Sequence, residues 1–185
     1  MTITDIVIVI AAALFIGVYV SWRAGRIDRL HARVDMARAA LDATLLRRAS
    51  VALELATSGL LDPATSLLLA SAVHDTRDST GTDRPRDLAE SDLTRALRAV
   101  FSQPGFLTSM KEKEGADELL AEVEAAAHQV FLARKFYNDL VAATLAARRR
   151  RLVRVLGLAG GAALPGFFEM DDSLVAESSG APLGL

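Results

Sequence analysis

The sequence predicts an all-α protein: an N-terminal transmembrane helix continuing into an antiparallel four-helix bundle. Three observations carry that expectation. Residues 6–22, IVIVIAAALFIGVYVSW, contain no charged side chain. Ala, Leu and Arg, which favour helix, abound, and runs with strand character are missing outside the first twenty positions. Apolar residues then recur at helical spacing in segments divided by Pro- and Gly-bearing breaks.

The apolar run comes first. As a helix it spans roughly 26 Å, just under a hydrocarbon core of about 30 Å. Ile3 and Thr4 extend it, Asp5 suits one interface, and Tyr19 and Trp22 suit the other. It is apolar on every side, unlike the one-faced stripe of a surface helix. A cleaved signal peptide needs positive charge before the run, where only Asp5 stands. The basic residues come afterwards, at Arg23, Arg26, Arg29 and Arg33. Positive charge stays inside, so a single-pass cell-membrane protein is expected, with its N-terminus outside and the bundle cytoplasmic. The expected division is 1–22 as anchor, 23–158 as bundle and 159–185 as an irregular tail.

The first bundle helix continues from the anchor to about Ser58, with Ile27, Leu30, Val34, Leu41, Leu45 and Ala52 as its apolar stripe. Asp62 is placed to cap the second helix, with Pro63 at its first position. That helix is expected to run to about His74, followed by the polar loop HDTRDSTGTDRPRD. The third covers about 85–101, with Leu88, Leu93, Leu97 and Val100 apolar. SQPGF stops it, and the charged stretch LTSMKEKEG leads on, with room for a helical turn. The fourth runs over about 116–151, with Leu119, Val123, Ala126, Val130, Ala133, Tyr137 and Leu140 or Val141 on one face. Short connections make neighbouring helices antiparallel. Parity then returns the end of the fourth helix to the bilayer surface. Tyr137 is expected to be buried opposite residues 35–41, with Phe136 beside the core and Asn138 bonded to a polar group on the first helix.

The basic residues Arg148, Arg149, Arg150, Arg151 and Arg154, with Arg23 and Arg26, are therefore candidate contacts for anionic lipid headgroups. Each is worth about 1 kcal/mol near such a surface. Cations also suit the negative end of a helix dipole. Nucleic acid is not expected: the net charge is -2, and no stacking aromatics interleave the arginines. Beyond the arginines, Gly160 and Gly161 break any helix and Pro165 and Gly166 form a turn. Residues from Asp171 onward read as disordered.

Chemistry is hard to place on this chain. With no cysteine, disulfides, thiolate metal sites and cysteine nucleophiles are excluded. A bundle di-iron centre needs two Glu-x-x-His pairs, whereas the nearest match, Glu124 with His128, is single and spaced by four. His31, His74 and His128 lie on three different segments and read as surface histidines. GLAGGAALPG lacks the lysine and following helix of a phosphate loop. No catalytic residue, metal or cofactor is expected.

Several stretches resemble the LemA family: ARKFYNDLV at 133–141, GFFE at 166–169, and RVDMARAALDATLLRRA at 33–49 behind a membrane helix. LTRALRAVFSQPGFL at 93–107 also fits. The chain departs from the family pattern at 47–59, RRASVALELATSG, where a proline-containing stretch is usual, and in GGAALP before FFE. The resemblance marks Phe136, Tyr137, Asn138, Phe167, Phe168 and Glu169 as motif residues. It implies a membrane-anchored helical scaffold or interaction module acting on a protein partner not identified by sequence, with homo-oligomers possible. The alternatives are a membrane-tethered hydrolase or metal enzyme, and an oligomerising membrane-shaping module.

Overall fold

The structure is a computed structural model that describes residues 3–79, 85–149 and 163–172. All regular structure among the described residues is helical. Five helices follow in order: α1 (Ile3–Thr57), α2 (Pro63–Asp78), α3 (Arg86–Phe101), α4 (Phe106–Lys111) and α5 (Ala116–Arg148). The chain divides into two compact units, Met1–Arg38 with Phe136–Phe167, and Ala39–Lys135 with Phe168–Leu185.

In the first unit, α1 opens with the apolar stretch Ile3–Trp22, of mean hydropathy 2.5 and with none of its window buried. Among the described residues it is the one stretch long and apolar enough to cross a membrane. Among this unit's described residues, Val34, Ala37, Tyr137, Val141 and Thr144 are buried. The expected burial of Tyr137 holds, at 5 % exposed. Phe136 departs from expectation: it is 61 % exposed rather than beside the core. Successive helical residues point about 100° apart, so burying Tyr137 turns its neighbour outward.

In the second unit, α1, α2, α3 and α5 contribute to one apolar core built around Ala52, Leu55, Leu69, Val73, Leu93, Leu97 and Val123. A smaller cluster joins Val100, Phe106, Met110 and Ala116. There Phe101 meets Phe106 edge-on, with ring centroids 5.7 Å apart. The stripe residues Leu41, Leu45 and Ala52 are buried as expected. Leu88 is 51 % exposed instead of apolar-facing, because Ala89, Glu90 and Leu93 take the inner face of α3.

Local chemistry sets the helix ends. α1 stops at Ser58 and Gly59, where Gly59 adopts φ 75°, a left-handed conformation that costs glycine little. Asp62 caps α2 as expected, its carboxylate accepting from the backbone N–H of Ala64 at 3.0 Å and Thr65 at 3.1 Å. α2 overruns its expected end and reaches Asp78, with Thr76 and Ser79 bonding back to Val73 O and Thr76 O, both at 2.8 Å. The stretch 106–111 does hold a short helix, α4.

The Asp62 cap has a pH signature. Hydrogen bonds, chiefly from Thr65, hold its carboxyl below the usual aspartate value. A lowered folded-state pKa means that the unfolded chain binds the proton more readily. The cap therefore contributes fully above the ordinary value and is lost as pH falls through the lowered one. Asp62→Ala should melt earlier than the parent near neutral pH, and the gap should close as pH falls through the lowered value. A gap that stays constant across those melts would remove the cap from the stability of α2.

Candidate functional site

The second unit holds a cluster of charges that its apolar core surrounds. Arg48 stands on the inner face of α1, between Leu45 and Ala52, and is 3 % exposed. Its guanidinium donates to Glu90 Oε2 at 2.6 Å, to the Glu90 carbonyl at 3.1 Å and to Thr94 Oγ1 at 2.9 Å. Glu90 and Thr94 lie on α3 and are themselves buried. Thr94 passes its own hydroxyl hydrogen to the Glu90 carbonyl at 3.1 Å. Arg86 reaches Asp42 at 2.9 Å and stands 3.9 Å from Glu90 Oε1.

Burial sets the electrostatics here. It pushes the Glu90 carboxyl above its usual range, against the charge and hydrogen bond of Arg48 and the charge of Arg86. It pushes the Arg48 guanidinium down, against the charge and hydrogen bond of Glu90 and the charge of Asp172. A buried ion pair of this kind needs its remaining donors and acceptors satisfied. Arg48 Nη1 and Nη2, Glu90 Oε2 and the Glu90 carbonyl are bonded, but the Nε atoms of Arg48, Arg86 and Arg134 are buried with no hydrogen-bond partner among the described residues.

A short stretch of the tail completes this cluster. Residues 163–172 have no regular secondary structure. Phe168 and Met170 are buried while Phe167 and Glu169 are exposed, the alternation of an extended peptide lying on a surface. Asp171 then accepts from Arg98 at 3.2 and 3.3 Å, and Asp172 pairs with Arg134. The Asp171 backbone N–H donates to Ser91 Oγ at 3.0 Å. The expectation of disorder from Asp171 onward is thus corrected for Asp171 and Asp172, which are held by two ion pairs. Residues 173–185 lie outside the described residues.

The first unit carries the other motif residues. Tyr137 donates its hydroxyl hydrogen to the Gly166 carbonyl at 2.8 Å, and the Arg38 guanidinium sits 5.7 Å from its ring centroid. Arg38 belongs to the stretch 35–41 that the expected register set opposite Tyr137. FYN and GFFE are therefore joined in part: Tyr137 holds the backbone of Gly166. Asn138 is half-buried, Phe167 is 49 % exposed and Glu169 is exposed.

The lipid-contact candidates divide. Arg148 is half-buried, with its guanidinium 3.2 Å from His31 Nε2 and donating to the Ala163 carbonyl at 3.2 Å. Arg149 is exposed. Arg150, Arg151 and Arg154 lie outside the described residues, as do the side chains of Arg23 and Arg26 within α1.

Among the described residues no group of three or more His, Asp or Glu is set to hold a metal ion. A recess of about 330 Å³ in the second unit is lined by Glu54, Glu114, Glu118 and Glu122 around Ser58, with Arg47 pairing Glu122 at 3.4 Å. His128 stacks on Phe131, with centroids 6.2 Å apart.

Sequence reasoning missed the charge cluster, although a signal was there. Arg48 falls on the apolar stripe of α1, and Glu90 falls on the same face of α3 as Leu93 and Leu97. A charge inside an apolar period calls for a partner. The Arg98 and Arg134 pairs left no such mark, because their partners stand 73 and 38 residues away in sequence. Compared with known proteins, the chain matches no family model, no curated protein and no solved structure.

Proposed function

We propose that this chain is a membrane-anchored helical scaffold of the LemA type, whose bundle binds a protein partner in the cytoplasm. The observation that carries this is the apolar opening of α1, Ile3–Trp22, none of whose window is buried among the described residues. A soluble core helix would lie mostly within its fold. Leaving an apolar helix of this length in water is costly, and a bilayer removes that cost. The arginines after Trp22, with none before it, set the N-terminus outside. On this reading the four long helices form an antiparallel bundle, and the basic segment around Arg148 to Arg154 rests on anionic headgroups. The function is binding rather than catalysis, a reading supported by a buried cluster in which Glu90 and Asp42 are paired with arginines of the same unit. Copies of the chain can associate through the same helix faces.

The lack of cysteine makes a clean topology test. Thr2→Cys and Ser178→Cys variants are treated in whole cells, with the wall removed where needed, using a membrane-impermeant thiol reagent. Thr2→Cys should label in intact cells, and Ser178→Cys only after lysis. Labelling at 178 in intact cells would invert the protein and exclude cytoplasmic partners. Crosslinking in living cells then identifies the partner.

A further inference from the structure

The segment 168–172 meets the second unit as a bound peptide meets its receptor. Phe168 and Met170 are its two apolar anchors, 4 % and 8 % exposed. Between and before them, Glu169 and Phe167 face outward. Its two carboxylates end the stretch on two arginines from different helices, Arg98 of α3 and Arg134 of α5. Its backbone is held by Ser91, whose Oγ accepts from the Asp171 N–H. Alternate apolar anchors with a charge clamp at one end are what extended-peptide recognition uses.

The receiving side meets the tail carboxylates with arginine. Arg48, Arg86, Arg98 and Arg134 bring four guanidinium groups to α1, α3 and α5 of this unit. The helices answer with Glu90 and Asp42. The remaining two carboxylates come from the tail, at Asp171 and Asp172. Arg48, buried and with its Nε lacking a hydrogen-bond partner among the described residues, lies near enough to Asp172 to feel its charge. Without the tail, Arg98 and Arg134 would lose the carboxylates that the structure gives them. Arginines placed in this way select carboxylates, and bidentate guanidinium geometry suits them.

We propose that residues 168–172 are an intramolecular ligand in a peptide-binding site, and that this site takes in their place an extended acidic segment of a partner protein. That segment would carry apolar residues at two alternate positions followed directly by paired carboxylates. The proposal deepens the scaffold reading and rests on it: it names where and by what chemistry the partner binds. The tethered segment competes at the high effective concentration of a covalently attached ligand. A partner segment therefore wins only when its own local concentration is raised, as on a shared membrane, or when the tail carboxylates are neutralised.

The test uses the full chain in detergent micelles and a fluorescein-labelled peptide, FFEMDD, with the sequence of residues 167–172. Binding is read by fluorescence anisotropy at low salt. The Asp171→Asn/Asp172→Asn protein should bind this peptide about tenfold or more tightly than the parent. The peptide FFEMNN should bind neither, and adding Arg98→Gln with Arg134→Gln to the double variant should abolish the gain. Salt should weaken binding, as the charge clamp requires. Should the double variant melt early, Asp172→Asn alone replaces it, with a smaller gain expected. Equal weak binding to the parent and to a folded tail variant overturns the proposal, and so does FFEMNN binding as well as FFEMDD. Either failure leaves the scaffold reading intact, because cell crosslinking tests that separately.

Discussion

Arg48→Ala should destabilise the protein by about 3–5 kcal/mol in chemical denaturation, the largest effect expected of any polar substitution here. The cost comes from what is left behind. Glu90 is 1 % exposed, and without Arg48 its carboxylate loses a 2.6 Å hydrogen bond in a place water does not reach. Thr94 loses a donor at the same time. The pair itself is a different quantity. Removing both charges together, as Arg48→Met with Glu90→Leu, should land within about 1 kcal/mol of the parent, because apolar side chains of similar volume avoid desolvation altogether. A single-variant loss under about 1 kcal/mol would show that water reaches Glu90.

Tyr137→Ala should cost about 3–5 kcal/mol, the loss expected for emptying a buried aromatic site. Tyr137→Phe keeps the ring and removes only the hydroxyl that donates to the Gly166 carbonyl. It should cost about 1 kcal/mol. The contrast separates packing from the tether: amide exchange near Gly166 should speed up in Tyr137→Phe even where global stability barely moves. A loss under about 1 kcal/mol for Tyr137→Ala would mean that the ring is solvated and that Arg38 does not cover it.

Features written locally in the sequence were legible there. The Asp62 cap, the stripe through Val34, Leu41, Leu45 and Ala52, and the burial of Tyr137 all follow from spacing within one helix. Errors arose where a neighbour in space decides. Leu88 and Phe136 are as apolar as their neighbours, yet Glu90 and Tyr137 hold the inward positions, each fixed by a partner far along the chain. HDTRD reads as turn chemistry, but its Thr76 turns its hydroxyl onto the helix backbone and lets α2 continue. The tail carboxylates read as disorder in the sequence because composition alone carries no sign of Arg98 or Arg134.

The placement of Asp171 and Asp172 also has a consequence for synthesis. They follow α1 to α5 in the chain. A nascent chain whose translation stops at codon 170 would present Arg98 and Arg134 without their carboxylates. One stopped a few codons earlier would also leave open the apolar surface that Phe168 and Met170 cover. Transiently exposed surface of that sort is what chaperones and proteases recognise. A chain cut short of residue 168 thus carries a surface that the folded chain conceals.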